Sequence, residues 1–260
     1  MKKPLVTLLS DFGTVDGFVG AMKGVIFSIA PDATVVDLTH EIPAQDVRAG
    51  AWALREAAPH FPPGTIHVAV VDPEVGTARR PLALECRGHW FVGPDNGLLS
   101  LAAEEASTGI ALDRPEYHRP QVSNTFHGRD IFAPAAGHLA AGVAPRELGH
   151  EIKKWARITV PAASFNGDRV MGQVIHVDQF GNLITNIRAR DLPGGRAWRL
   201  SWLGKEIGPL RQTFGDVASG QWVAYAGSSG QVEVGIRDGR AAQGDRAAVL
   251  QSEVTACLDG

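Results

Sequence analysis

Cysteine is scarce in this chain, which has only two among its 260 residues, Cys86 and Cys257. They form no CxxC pair and are too few for the disulfide framework of a small secreted domain. The sequence also lacks any run approaching the roughly 18 apolar residues of a membrane span. The first apolar stretch ends at Asp11, too early for the hydrophobic region of a signal peptide. We therefore expect a soluble protein of the reducing cytoplasm, with no membrane partner.

An excess of charge of one sign is missing as well. The chain has 25 Lys and Arg against 28 Asp and Glu, which gives a formal net charge of −3 at pH 7. This balance argues against a dedicated nucleic-acid binder, which usually carries a basic surface. Hydrophobic residues make up 44% and charged residues 20% of the chain. This composition excludes a disordered, collagen-like or coiled-coil chain, and the length predicts one or two globular domains.

Several well-known catalytic motifs are absent from the sequence. It contains no GxxxxGK[ST] phosphate loop, no GxGxxG after a strand, no HExxH and no GxSxG. Phosphoryl transfer, Rossmann-type redox chemistry and serine hydrolysis therefore lose weight as functions. A metal site made of Asp11, Asp72 and His127 stays open, although no fixed ligand spacing supports it.

The first part of the sequence alternates strand-like and helix-like segments. Apolar residues at helical spacing predict helices over Phe18–Ala30, Asp46–Ala58 and Ile131–Ala141. Short apolar or β-branched runs predict strands over Leu5–Leu9, Thr34–Leu38, Thr65–Val71, Leu82–Cys86 and His89–Val92. This alternation is typical of an α/β fold with a largely parallel sheet flanked by helices.

The pattern changes near residue 165. From there on, short strand-like runs are separated by Gly, Pro and Asp, namely Val170–Val177, Leu183–Ile187, Ala197–Leu203, Trp222–Ala226 and Gln231–Val234. Such spacing predicts a small all-β domain. We therefore expect an N-terminal α/β domain over residues 1–165 and a smaller C-terminal β-barrel-like domain over residues 166–260.

Four aspartates stand near the ends of the predicted N-terminal strands: Asp11, Asp37, Asp72 and Asp95. In open α/β sheets, ligands bind beyond the carboxyl ends of the strands. An acidic rim there suits a cationic ligand, a ribose diol or a metal ion. Each aspartate taken alone is equally typical of a turn or a helix N-cap.

A second polar cluster, Asn124–Asp130, precedes the third predicted helix. Within it, His127 is a candidate general base, ligand or water-orienting group, or a loop histidine bonded to the backbone. Asp130 is a candidate cap for the helix that follows. Arg79 and Arg80 lie one turn after Asp72, so that either could fold back on that carboxylate or lie on the surface.

Two further polar clusters lie in the predicted β domain. The segment Asp178–Asn186 forms a turn between two strands, where Asp and Asn are usually structural. The segment Gly227–Gly230 could present backbone N–H and hydroxyl groups to a carboxylate, or could be a plain hairpin.

Taken together, these clusters resemble a known family. The segments that carry the resemblance are LLSDFGTVDGFVGAMKGV, VAVVDPEVGTARRPLALE, FVGPDNGLLS, NTFHGRDIFAPAAGHLAAG, HVDQFGNLITNI and GSSGQVEVGIRDGRAA. They are similar to the S-adenosyl-L-methionine hydroxide adenosyltransferases, adenosine-forming hydrolases related to the bacterial fluorinase and chlorinase. The resemblance runs nearly end to end. It implies hydrolysis of S-adenosylmethionine to adenosine and L-methionine by a homotrimer that holds the substrate between neighbouring subunits.

The resemblance also implies roles for individual residues. Asp72, Arg79 and His127 match the catalytic set that positions water, and Arg79 fits the family's spacing better than Arg80 does. The matching substrate-binding residues are Asp11 for the ribose hydroxyls, Asp16 and Asp178 for the methionine amino group, Asn182 and Phe214 for adenine, and Ser228 for the methionine moiety.

The departures from the halogenases bear on the nucleophile. Asp72 and His127 stand where the halogenases have tyrosines, Gly128 replaces the fluorinase serine at the halide site, and Ser229 replaces an arginine. A carboxylate beside the nucleophile repels a halide but accepts a hydrogen bond from water. The sulfonium of the substrate is already a good leaving group, so we expect no metal or other cofactor. A halogenase of the same fold, a non-catalytic S-adenosylmethionine sensor and a metal hydrolase remain the alternatives.

Overall fold

The computed structural model describes residues 3–192, 197–244 and 246–258. Its contacts divide the chain into two compact units, the first ending at Ile158 and the second beginning at Thr159. The domain boundary expected from the sequence, after residue 165, stays a prediction. No helix in the described ranges is long and apolar enough to cross a membrane.

The first unit combines one sheet with three α-helices in the part that the structure describes. In chain order its elements are β1 (Leu5–Ser10), α1 (Phe18–Ile29), β2 (Thr34–Thr39), α2 (Val47–Ala57), β3 (Ile66–Val70), β4 (Pro81–Cys86), β5 (His89–Pro94), β6 (Gly109–Ala111), α3 (Ala133–Ala140) and β7 (His150–Ile152). The predicted α/β class is confirmed.

The strands of this sheet follow the order β2-β1-β3-β5-β4-β6-β7. Pairing is parallel from β2 through β1 and β3 to β5, and antiparallel among β4, β5, β6 and β7. The change of direction comes from the hairpin between β4 and β5. Its two linking residues, Arg87 and Gly88, have φ values of 51° and 78°, the backbone of a tight type I′ turn.

Side chains alternate between the two faces of the sheet, as the period of a β-strand requires. Leu8 of β1 packs in a core with Met22 of α1 and Ala136 of α3. The next residue, Leu9, packs on the opposite face with Leu54 of α2. The helices therefore cover both faces, which leaves the ends of the strands as the place where polar side chains can converge.

The helix ends follow local sequence signals. The Asp46 side chain accepts a hydrogen bond from the Ala49 N–H at 2.9 Å, which caps the start of α2. The third helix begins later than predicted, because residues Gly128–Phe132 form a π-helical turn before α3 starts at Ala133. Such turns are frequent at functional positions, and this one directly follows His127.

The second unit is a closed β-barrel in the described part of the chain. Its elements are β8 (Ser164–Asn166), β9 (Arg169–Val177), β10 (Leu183–Arg188), β11 (Trp198–Trp202), β12 (Lys205–Arg211), β13 (Trp222–Ala226), β14 (Gln231–Ile236), α4 (Arg246–Val249) and β15 (Glu253–Leu258). The order is β10-β14-β13-β12-β11-β15-β9, and β9 pairs with β10 to close the ring. The predicted barrel-like domain is confirmed.

Candidate active site

Asp72, Arg79 and His127 form one connected cluster in the first unit. Arg79 donates from Nε to both carboxylate oxygens of Asp72 at 3.0 Å, and its Nη2 also contacts Asp72 Oδ2. The same Nη2 lies 2.8 Å from Nδ1 of His127. The Arg79 and Asp72 side chains are 4% and 5% exposed, so this ion pair is shielded from solvent. The structure thus brings together the three residues that the family resemblance implies as a catalytic set.

A close backbone approach explains how two distant segments reach this cluster. Asp72 and Arg79 flank a turn whose residue Gly76 has a φ of +80°. A Cβ at Gly76 would lie 2.5 Å from the carbonyl oxygen of Asn124, three residues before His127. Only glycine satisfies both the left-handed backbone and this contact. The Arg79 turn is therefore packed directly against the segment that carries His127.

His127 is held neutral by its surroundings. Burial lowers the pKa of its imidazole, and the neighbouring Arg79 cation lowers the pKa further. A guanidinium can only donate, so Nδ1 must be the acceptor in the contact with Arg79. A neutral imidazole that accepts at Nδ1 carries its proton on Nε2. His127 consequently presents an N–H donor on its far side, while its basic nitrogen is engaged.

One atom of the cluster is left over. Arg79 Nη1 is buried and has no hydrogen-bond partner among the described residues. A buried N–H without a partner is costly, particularly on a charged group. The Arg79 guanidinium also lies 5.3 Å from the centre of the Phe132 ring, which restricts its position. This arrangement leaves a charged donor without a hydrogen-bond partner in the part of the chain that the structure describes.

The neighbouring Arg80 is engaged elsewhere. Its guanidinium donates to Asp95 Oδ2 at 3.0 Å and 2.6 Å, and to the carbonyl oxygen of Lys154 at 2.8 Å. The expected acidic rim is therefore smaller than the sequence suggested, since Asp95 is neutralised by Arg80. Asp37 lies inside β2 rather than at its end and pairs with Lys23 at 2.6 Å.

Asp130 anchors the loop around His127 instead of capping the following helix. It is fully buried and accepts hydrogen bonds from Arg129 Nε at 2.7 Å and from the Ser123 N–H at 2.9 Å. Burial alone would raise the pKa of this carboxyl, but these hydrogen bonds and the charge of Arg119 outweigh burial and lower it. Asp130 is thus an ionised structural residue.

Asp11 and Asp16 lie in the loop between β1 and α1. Asp11 Oδ2 accepts a hydrogen bond from the Gln45 N–H at 2.8 Å, which orients the Asp11 carboxylate. Asp16 is exposed on the same loop. Phe12, between them, packs edge-on against Phe126 at 5.8 Å, which connects this loop to the segment that carries His127.

Gly128 is closely surrounded. A Cβ at this position would lie 3.2 Å from Met22 Sδ and 3.3 Å from the Phe12 ring. These contacts are tighter than ordinary van der Waals distances, so a larger residue would displace one of the two neighbours. Phe12 and Met22 are therefore shaping residues that sequence reasoning missed, because the contact spans distant segments.

The second unit has a cavity of about 670 Å³ lined by Asn182 and Phe214, together with Phe180 and Arg240. Phe214 packs on Tyr225 with ring centres 4.6 Å apart. A Cβ at Gly235 would lie 2.6 Å from Asn182 Oδ1 and 2.9 Å from the Phe214 ring. The glycine on β14 thus lets both side chains approach the barrel wall, beside an aromatic surface and an amide.

The other two sequence candidates in this unit have different surroundings. Both carboxylate oxygens of Asp178 accept from Asn182, one from its N–H and one from its side-chain amide, each at 2.8 Å. Asp178 therefore fixes the orientation of Asn182. Ser228 is exposed in the turn between β13 and β14 and does not line the cavity.

A metal centre was one alternative for this chain. Within residues 3–192, 197–244 and 246–258, no group of three or more His, Cys, Asp and Glu side chains is arranged to hold a metal ion. Asp72 is instead committed to Arg79 and Asp11 to a backbone amide.

Comparisons with known proteins show similarity over nearly the whole chain. One relative, from Thermus thermophilus, is named "(R)-S-adenosyl-L-methionine hydrolase". It is 42% identical to this chain, and the match covers 91% of this chain and 93% of the relative. A more distant relative, 31% identical over 88% of this chain and 89% of its own, is a fluorinase of Nocardia brasiliensis. A crystal structure of an uncharacterized conserved protein from Thermotoga maritima aligns with a TM-score of 0.86 at 32% identity, covering 97% of this chain and 99% of that one.

The family itself is identified by its two domain models. The model described as the SAM hydroxide adenosyltransferase N-terminal domain matches residues 6–149, the part that contains Asp11, Asp72, Arg79 and His127. The model of the C-terminal domain matches residues 172–248, the part that contains Asn182 and Phe214. The chain therefore belongs to the SAM hydroxide adenosyltransferase family.

Proposed function

We propose that this protein hydrolyses S-adenosyl-L-methionine to adenosine and L-methionine, by in-line attack of water at C5′ of the ribose. The observation that carries the proposal is the buried Asp72–Arg79 ion pair in contact with His127, with Arg79 Nη1 left without a partner among the described residues. A buried cationic donor beside a carboxylate suits a water molecule that must lose a proton as it attacks.

The chemistry asks little of the enzyme beyond positioning. The sulfonium leaves as a neutral thioether, so no general acid is needed for the leaving group. The remaining task is to hold water in line with the C5′–S bond and to favour hydroxide character on its oxygen. Arg79 Nη1 supplies a charged hydrogen bond that stabilises negative charge on the attacking oxygen.

The proton released by water has one suitable acceptor in the cluster. His127 Nδ1 already accepts from Arg79, so the imidazole orients the water through its Nε2–H and does not remove the proton. The Asp72 carboxylate has lone pairs beyond those used by Arg79 and takes the proton as the C5′–O bond forms. The proton then passes to solvent, which balances the reaction.

Substrate binding is assigned to both units. We propose that Asp11 holds the ribose hydroxyls, Asp16 and Asp178 interact with the methionine amino group, and Ser228 contacts the methionine moiety. Asn182 and Phe214 hold adenine; their position at one cavity, with Phe214 backed by Tyr225, supports this assignment. Because Asp178 is bonded to Asn182, we expect it to affect adenine binding as well.

We also propose that the active protein is a homotrimer that holds the substrate between neighbouring subunits, and that it works in the cytoplasm. The resemblance to the family supports the trimer, and light scattering of the purified protein tests it. The free thiols of Cys86 and Cys257 are consistent with a reducing compartment.

The test of the function is chromatography of S-adenosylmethionine after incubation with the protein. Adenosine and methionine in equal amounts support hydrolysis, and the yield should not change with a chelator. A halogenated nucleoside would support the halogenase alternative. Unchanged ligand that nevertheless raises the melting temperature would instead identify a sensor.

A further inference from the structure

We propose that His40 is a positioning residue for Asp11, which it holds in place from both sides through Ser10 and Gly13. The inference rests on the proposed function in one respect, the assignment of Asp11 to the ribose hydroxyls. His40 itself lies on the segment after β2 and is only 4% exposed, so it cannot contact the ligand as a surface group would.

The first contact is made by the His40 side chain. Its Nδ1 lies 2.7 Å from Ser10 Oγ, and both residues are buried. Ser10 Oγ in turn accepts a hydrogen bond from the Phe12 N–H at 3.3 Å. The hydroxyl therefore joins the imidazole to the backbone on both sides of Asp11, because Ser10 precedes it and Phe12 follows it.

The second contact is made by the His40 backbone. Its carbonyl oxygen accepts a hydrogen bond from the Gly13 N–H at 2.8 Å. The loop that carries Asp11 is thus attached to one residue at two points, three positions apart. The Gln45 N–H, from the same connecting segment, then orients the Asp11 carboxylate through Oδ2.

The outer nitrogen of His40 faces a different partner. Nε2 lies 3.1 Å from Asp37 Oδ1, and Asp37 Oδ2 pairs with Lys23 at 2.6 Å. The chain of contacts from Ser10 through His40 to Asp37 resembles the Ser-His-Asp triad of hydrolases. However, the Ser10 side chain is fully buried, so its hydroxyl is not accessible to a substrate and the arrangement is structural.

The contacts at the two imidazole nitrogens of His40 are expected to contribute differently to ligand binding. Asp37 is 41% exposed, and an ion pair that is open to solvent contributes little. The Ser10 contact is buried and neighbours the ligand-binding carboxylate, so it carries the positioning effect. Asn in place of His40 can keep a polar atom near the Nδ1 position, whereas Gln extends towards the Nε2 position.

The experiment measures adenosine binding by calorimetry, together with kcat and KM for S-adenosylmethionine. We expect His40→Gln to weaken adenosine binding about 3- to 10-fold, the range for one lost neutral hydrogen bond, and to raise KM by a similar factor with kcat little changed. His40→Asn should restore most of the affinity. Asp37→Asn and the control His150→Gln, which alters an exposed histidine paired with Asp113, should stay near wild type.

A double-mutant cycle separates positioning from general destabilisation. In an Asp11→Ala background, His40→Gln should weaken adenosine binding no further, since its effect passes through Asp11. The proposal would be overturned if His40→Gln weakened adenosine binding equally in the wild-type and the Asp11→Ala backgrounds. It would also be overturned if the His40→Gln and His40→Asn variants bound adenosine with equal affinity. If His40→Gln fails to fold, Ser10→Ala in the same cycle gives the same decision.

The outcomes also distinguish this inference from the proposed function. A wild-type protein that binds adenosine but forms no product would contradict the proposed hydrolase function. The role of His40 would then be decided by the adenosine affinities of its variants. A wild-type protein that turns over S-adenosylmethionine while His40→Gln leaves KM and adenosine affinity unchanged would contradict the inference alone. Failure of the wild type to bind either ligand would contradict both.

Discussion

Arg79 Nη2 lies 2.8 Å from Nδ1 of His127, although the two residues are 48 positions apart in the chain. This contact fixes the imidazole as an Nε2–H donor, and for that reason we propose Asp72 as the proton acceptor of the cluster. It also explains why three residues from two segments are expected to act on a single water molecule.

The first prediction concerns this cluster. Asp72→Ala, Arg79→Ala and His127→Ala should each lower kcat by about 100-fold or more, because each removes one contact to the attacking water. Binding of S-adenosylmethionine, measured by calorimetry, should change much less. The losses should not add in double variants, since the three residues form one unit.

The matched control is Arg80→Ala, which removes a guanidinium from the adjacent position. Arg80 pairs with Asp95 and the carbonyl oxygen of Lys154 rather than with Asp72. We expect this variant to keep near-normal activity. An inactive Arg80→Ala beside an active Arg79→Ala would show that the catalytic arginine has been misassigned.

The second prediction concerns the crowded position of Gly128. A Cβ there would lie 3.2 Å from Met22 Sδ and 3.3 Å from the Phe12 ring, so Gly128→Ala and Gly128→Ser should both lower activity by moving these neighbours. The serine hydroxyl should not create a halogenase, because Asp72 remains beside the nucleophile. A chlorinated or fluorinated nucleoside formed by Gly128→Ser, but not by Gly128→Ala, would refute this account of nucleophile choice.

The third prediction separates the two acidic residues of the β1–α1 loop. Asp11→Ala should weaken binding of both S-adenosylmethionine and adenosine, by about 1.5–3 kcal/mol for a lost charged hydrogen bond. Asp16→Ala should weaken S-adenosylmethionine binding but hardly affect adenosine, which has no methionine part. Calorimetry with both ligands tests this difference between Asp11 and Asp16. If both variants weakened adenosine binding equally, the separate roles of the two residues would be contradicted.

The fourth prediction is a pH dependence of stability. His67 is fully buried between Thr7 Oγ1 at 2.7 Å and His89 Nδ1 at 3.2 Å. Burial, followed by the charge of His89, lowers the pKa of His67 to about 4. Between its ordinary value of 6.5 and about 4, the unfolded chain binds a proton at His67 that the folded chain does not. The free energy of unfolding should therefore fall with decreasing pH in this window, by about 1.4 kcal/mol per pH unit from this residue.

Urea unfolding at pH 7 and at pH 5 checks this sign. The variant His67→Gln keeps polar atoms near Thr7 and His89 but cannot titrate, so its stability should depend less on pH than that of the wild type. A wild type that gains stability on acidification, or an unchanged pH dependence in the variant, would contradict the assignment of a neutral buried His67.

Local patterns in the sequence were sufficient for much of the fold. Asp46 marks the start of α2 because a short acidic side chain can cap the helix, and the strand candidates Leu5–Leu9 and Thr65–Val71 coincide with buried runs. The direction of β4 relative to β5 was not predicted, because it depends on the left-handed turn at Arg87 and Gly88. The strand β12 was missed, since Gly208 and Pro209 interrupt its pattern.

The candidate site was predictable only in part. Arg79 and Arg80 both lie one turn after Asp72, so local geometry left either free to pair with it, and only the family resemblance favoured Arg79. The approach of His127 depends on Gly76 packing against the Asn124 carbonyl oxygen, a contact that no local pattern reveals. The same holds for His40, which reaches Ser10 across 30 residues because β1 and β2 are neighbours in the sheet.

The central claim is that water attacks C5′ of S-adenosylmethionine, and incubation in ¹⁸O-labelled water with a high chloride concentration tests it most directly. A buried chloride beside the Asp72 carboxylate would add charge repulsion to the cost of desolvation, whereas water carries neither cost. We predict adenosine as the only nucleoside product, with the label in its 5′-hydroxyl by mass spectrometry. Detection of 5′-chloro-5′-deoxyadenosine, or of adenosine without the label, would contradict the mechanism.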